Sequence, residues 1–99
     1  MSATATAHVV LLTFDLMIPF SQSLKAKRRV IKSLKDRVRA RFNAAVAEID
    51  YLEEWQRSLI GVALLGNDPR HLERGSSAVS RLVEETADIR LLDARQEWL

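Results

Sequence analysis

The sequence predicts a ferredoxin-like α+β sandwich: four antiparallel strands with two helices on one face, in the order β-α-β-β-α-β. Three observations carry this. Two ten-residue apolar runs, 8–17 and 58–67, read as central strands. Each is followed by a segment of helical period. Each helical segment is followed in turn by a shorter, more polar strand-like stretch. The chain has 99 residues, enough for a single domain over 1–99, with 1–7 expected to be flexible. Hydrophobic residues make up 47% and charged residues 28%, which argues for a globular core and against disorder. Cysteine is absent, so disulfide scaffolds, thiolate metal sites and cysteine catalysis are excluded. A cytoplasmic address is the simplest expectation. No apolar run reaches the ~18 residues of a membrane span, and no charged leader precedes the first strand.

Each element follows from its residues. Residues 8–17 (HVVLLTFDLM) suit a strand buried on both faces. Pro19 and the polar Ser21, Gln22 and Ser23 end it, and Ser23 is a good N-cap. From Leu24 to Phe42 the period becomes helical, with Leu24, Leu34, Val38 and Phe42 within about 60° of Ile31. Residues 43–50 (NAAVAEID) read as the second strand, whose small residues are expected to let a helix approach closely. Residues 51–57 connect it to the third strand at 58–67. Asp68 as N-cap and Pro69 at the first helical position start the second helix. Its apolar stripe is Leu72, Val79, Leu82 and Val83, and Gly75 in its interior costs roughly 1 kcal/mol against alanine. Residues 88–98 form a charge-rich strand, expected at a sheet edge.

Charge is distributed unevenly. Residues 25–41 hold nine of the fifteen basic residues and one acid, Asp36, giving +8 in a chain whose net charge is +2. Lys25, Arg28, Lys32, Lys35 and Arg39 share one flank of the first helix, with Arg29 beyond them. Lys27 falls on the apolar side, where it is expected to snorkel past the sheet edge or to pair with a carboxylate.

Several segments resemble one bacterial family. Ser23-Leu24-Lys25-Ala26-Lys27-Arg28-Arg29 resembles the S-L-K-x-K-R signature of the YlxP-like proteins, a family of unknown function. Asn43–Asp50 is similar to their second strand, and Trp55-Gln56-Arg57 and Asn67-Asp68 match later motifs. The resemblance runs from about His8 to Trp98. Ala26 stands where the family commonly has glutamate, which loses a capping box with Ser23. The resemblance implies a ferredoxin-like fold and a cytoplasmic bacterial protein. It also implies an RNA or ribosome partner, because genes of the family often lie beside translation-initiation and ribosome-maturation genes. It carries over no catalytic residue.

The candidate nucleic-acid-binding residues are Lys25, Lys27, Arg28, Arg29, Lys32, Lys35 and Arg39, whose spacing of three and four suits a phosphate backbone. A solvated helix face would account for the same charge. An acidic protein surface is the competing partner. The third strand lacks the aromatics of an RNA-recognition sheet and no GXXG clamp is present, so RNA binding would be led by phosphates. Trp55 is a candidate partner contact, or alternatively a lid folded onto the core. Trp98 packs on the sheet or joins a dimer contact. In the acidic cluster Glu48, Asp50, Glu53 and Glu54, Glu48 is expected to balance a basic group of the first helix rather than bind a metal. No nucleophile elbow or phosphate-cradling glycine loop is present, so the reading is noncatalytic, with no cofactor and no metal. With two helices covering one sheet face, Leu11, Leu59, Ala63 and Leu65 call for a cover. That points to a homodimer through the open sheet face or an edge strand.

Overall fold

The structure, a computed structural model, describes residues 6–99. The elements are β1 (His8–Met17), α1 (Leu24–Arg41), β2 (Ala44–Asp50), β3 (Arg57–Gly66), α2 (Pro69–Glu85) and β4 (Arg90–Trp98). The strands form one antiparallel sheet in the order β2-β3-β1-β4, so the chain is a ferredoxin-like α+β sandwich. The two most apolar strands are central and the charge-rich β4 lies at an edge, as their composition predicts. The expected flexibility of 1–7 falls mostly outside the described residues; Thr6 and Ala7 precede β1 without regular structure. No helix among the described residues is long and apolar enough to cross a membrane.

Strand alternation sorts the side chains. Val10, Leu12, Phe14 and Leu16 of β1 and Ile60, Val62 and Leu64 of β3 are buried under the helices. Ile31, Leu34 and Val38 of α1 and Leu72, Val79, Leu82 and Val83 of α2 meet them. Full burial of such side chains contributes about 1.5–3 kcal/mol each. Both helix starts are capped as expected: Ala26 N–H donates to Ser23 Oγ, and Arg70 N–H donates to Asp68 Oδ1.

Two expectations are corrected. β1 is not buried on both faces, since its alternate residues Val9, Leu11, Thr13 and Asp15 are only half-buried. In β2, Ala45 and Ala47 face away from the helices and are exposed, while Val46 and Glu48 turn inward. Val46, with the half-buried Ala44 two residues before it, therefore faces the core there, while Ala45 and Ala47 do not. The open sheet face carries Leu11, Leu59, Ala63 and Leu65, all half-buried except Leu65, which is 62% exposed.

Candidate nucleic-acid interface

α1 lies over the β2 side of the sheet. Arg39 Nη2 donates to the carbonyl of Val46 in β2 at 2.8 Å, whereas Arg37 on the opposite flank donates to Thr86 Oγ1 beyond α2 at 3.3 Å. The basic flank thus runs along the β2 edge, away from α2. From Lys25 to Arg39 it spans about 21 Å of helix. Lys25, Arg28, Arg29, Lys32 and Arg39 are exposed and Lys35 is half-buried.

These cations are not equally free. Lys32 Nζ pairs with Asp36 Oδ2 at 2.7 Å, and that hydrogen bond holds the Asp36 carboxyl below the usual carboxylate range. Loss of hydration opposes that shift, and the nearby charges of Lys32, Arg39 and Lys35 each reinforce it more weakly. Arg39 is engaged by Val46 and lies 3.9 Å from Asp36. Among the described residues, Lys25, Arg28, Arg29 and Lys35 form no ion pair.

Lys27 is the correction within the candidate set. Its side chain is fully buried, with Nζ 2.8 Å from Glu48 Oε2 and 2.6 Å from the carbonyl of Tyr51. No phosphate can reach it. Its position on the apolar side of α1 forces burial, and the inward-facing Glu48 of β2 supplies the countercharge. The carboxylate partner anticipated for Lys27 and the helix cation anticipated for Glu48 are one and the same pair. Ser58 Oγ also donates to Glu48 Oε2, at 2.6 Å, so the partly buried carboxylate is bonded from two elements.

Tyr51 links this pair to the open face. Its backbone is left-handed, with φ 63°, and its N–H donates to Asp50 Oδ1. The Arg57 guanidinium lies 4.7 Å above its ring and forks onto Asp15 with contacts of 3.0 Å to both carboxylate oxygens. The Asp15 hydrogen bonds raise the Arg57 pKa further above its ordinary value. Sequence spacing gave no sign of this cluster, because Asp15 and Arg57 are 42 residues apart. Next to it, Gln56 Nε2 donates to Ser21 O, and Ile18 N–H donates to Gln56 O. Gln56 therefore ties the β2–β3 connection to the β1–α1 turn, and Arg57 ties Tyr51 to Asp15 of β1.

Trp55, between these ties and Glu53 and Glu54, is 54% exposed and does not cover the core, so the lid does not form. Phe20 in the adjoining turn is 79% exposed, an aromatic the sequence reading passed over. Trp98 is 42% exposed. No group of three or more potential ligands among the described residues could hold a metal ion.

The family described as protein of unknown function (DUF503) matches residues 9–96. The chain belongs to that family. It is similar to the uncharacterized protein YlxP of Bacillus subtilis (strain 168), with 33% identity over 76 residues, covering 77% of this chain and 83% of that one. Two solved structures share the fold. The de novo designed protein Foldit4 superposes with a TM-score of 0.53 at 16% identity, over 93% of this chain and 97% of that one. LarC2, the C-terminal domain of a cyclometallase involved in synthesis of the lactate racemase NPN cofactor, has a TM-score of 0.53 at 11% identity. That alignment covers 95% of this chain and 56% of LarC2.

Proposed function

We propose that this DUF503 protein is a noncatalytic binding protein that takes structured RNA along the exposed flank of α1. The observation that carries the reading is the set Lys25, Arg28, Arg29 and Lys35. These four cations lie on a rigid helix with no ion pair among the described residues, beside a single helix carboxylate that Lys32 already neutralises. Arginine adds forked geometry for phosphate oxygens. The readout is of backbone shape, since base-stacking aromatics are missing from β3.

Fluorescence anisotropy with structured ribosomal RNA fragments across a salt series tests this. If each free cation displaces one counterion, log affinity falls against log salt with a slope of about −4. The variant Lys25→Glu/Arg28→Glu/Lys35→Glu, checked for folding by circular dichroism, should lose binding. Absence of binding at low salt by the folded wild type overturns RNA. Binding of an acidic protein instead, with a shallow salt slope and sensitivity to Trp55→Ala, would assign α1 to a protein partner.

The open sheet face supports a second element of the reading, a homodimer. Exposed Leu65 and Ile49 extend the half-buried Leu11, Leu59 and Ala63 into one apolar surface beside the charged side chains of β4. A second copy presents the same mixture of leucine and paired charge. Light scattering should then report a particle of two 11.2 kDa chains at micromolar concentration, and Leu65→Lys should return it to one. A wild-type particle of a single chain removes the dimer.

A further inference from the structure

We infer that the cleft between the C-terminal end of α1 and the first turns of α2 holds a single unstacked nucleotide of the bound RNA. It rests on the RNA reading of α1 and extends it from duplex phosphates to one base. The cleft has a volume of about 410 Å³, within the usual range for small ligands. Phe42, the exposed Leu65 and the edges of the buried Leu64 and Leu72 supply its apolar lining, and Arg41, His71 and Arg74 its basic lining. An aromatic and aliphatic surface beside guanidinium groups is what a splayed-out base with its own phosphate needs.

Charge singles this cleft out from the exposed aromatics at the other end of α1. Trp55 stands beside Glu53 and Glu54, which repel phosphate. No carboxylate lines the cleft, and neither Arg41 nor Arg74 forms an ion pair among the described residues. The nearest acids in sequence are occupied elsewhere. Glu73 accepts from Gln96 of β4 at 3.1 Å, and Asp68 caps α2. Arg41 is the last residue of α1 and lies on the α2-facing flank with Arg37, so a strand on the basic flank reaches the cleft by passing round the C-terminal end of α1.

Gly75 lets α2 pack closely on Leu64 of β3 and also lines the cleft. A glycine in mid-helix is unfavourable, yet Gly75 lines this space, and a methyl group there would already stand 3.3 Å from Leu64 Cδ1. Ala78, one turn on, also lines it. Ala78→Leu adds volume to the cleft while keeping a strong helix former, so it blocks without removing a charge.

Two measurements separate this inference from the RNA reading beneath it. The first is anisotropy with a blunt RNA hairpin and with the same hairpin carrying one unpaired 3′ nucleotide. The overhang should bind at least about 5-fold more tightly, the advantage of one stacked base. Ala78→Leu should abolish that advantage and leave the blunt hairpin unaffected, whereas the α1 charge reversal should weaken both. Equal affinity of the two hairpins, or an advantage that survives Ala78→Leu, overturns the cleft. The second is titration of the isotope-labelled protein with adenosine monophosphate, with inorganic phosphate as control. Amide shifts at 41–43 and 71–78 with the nucleotide but not with phosphate support the cleft even if the hairpin is not bound. No shifts, or equal shifts with phosphate, overturn it.

Discussion

α1 and α2 cover the same face of the same sheet but are held there differently. α2 is seated by Leu72, Val79, Leu82 and Val83, an apolar stripe interrupted only by the buried Ser76. α1 is seated by Ile31, Leu34, Val38 and a fully buried lysine. An apolar stripe tolerates some rotation about the helix axis, because leucine and valine pack without direction. The Lys27 contacts with Glu48 and the Tyr51 carbonyl are directional and fix one rotation. That setting turns Lys25, Arg28 and Arg29 outward. The helix with the outward basic flank is the one pinned by a charge.

The largest effect should come from removing that pin. Lys27→Met removes the cation from the partly buried Glu48 and from the Tyr51 carbonyl and should cost about 3 kcal/mol in urea unfolding. Lys27→Met/Glu48→Leu should recover most of that loss, since the uncompensated charge goes too. A single-variant loss below about 1 kcal/mol would show that α1 is seated by its apolar stripe, as α2 is.

Next in size is the contrast in binding. Arg28→Gln should lower RNA affinity and reduce the salt slope by about 1, whereas Arg81→Gln on α2 should change neither. Equal effects would mean net charge matters and helix orientation does not. On α2 itself, Ser76 Oγ is buried and lacks a hydrogen-bond partner among the described residues. Ser76→Ala removes that orphan hydroxyl and improves helix propensity, so thermal denaturation should show a gain of about 1 kcal/mol.

The smallest effect is acid titration at the exposed Lys32–Asp36 pair. Asp36 has a depressed folded pKa, so its contribution is present above the unfolded carboxylate value and is lost as pH falls through the lowered one. Carboxyl-detected NMR should place the Asp36 midpoint below the ordinary aspartate value in wild type. Lys32→Gln should move it back up.

The fold was legible because its signals are local: two apolar runs, two side-chain caps and a period that switches between them. The outward basic flank was legible for the same reason, since positions three and four apart meet on any helix. The angle of Lys27 on the wheel points to a carboxylate pair as one of two readings. Its spacing also places it among the phosphate contacts, which its full burial rules out. Its tie to the Tyr51 carbonyl could not be anticipated, because that depends on a left-handed residue 24 positions away. The Asp15–Arg57–Tyr51 cluster and the α1–α2 cleft are products of sheet register and helix placement. The inward face of β2 was misjudged because alanine and valine alternate there with little contrast in polarity.

The register of β1 sets an order of events during synthesis. β1 pairs with β3 on one side and with β4 on the other. When β3 has been made, β1 can zip along it, but its second edge stays open until residues 90–98 emerge. The intervening two dozen residues take roughly 1–5 s to translate. For that interval the most apolar strand of the molecule offers a free backbone edge, a template for wrong pairing. β4, with Asp93, Arg95 and Glu97 along it, ends the exposure and replaces a sticky border with a charged one.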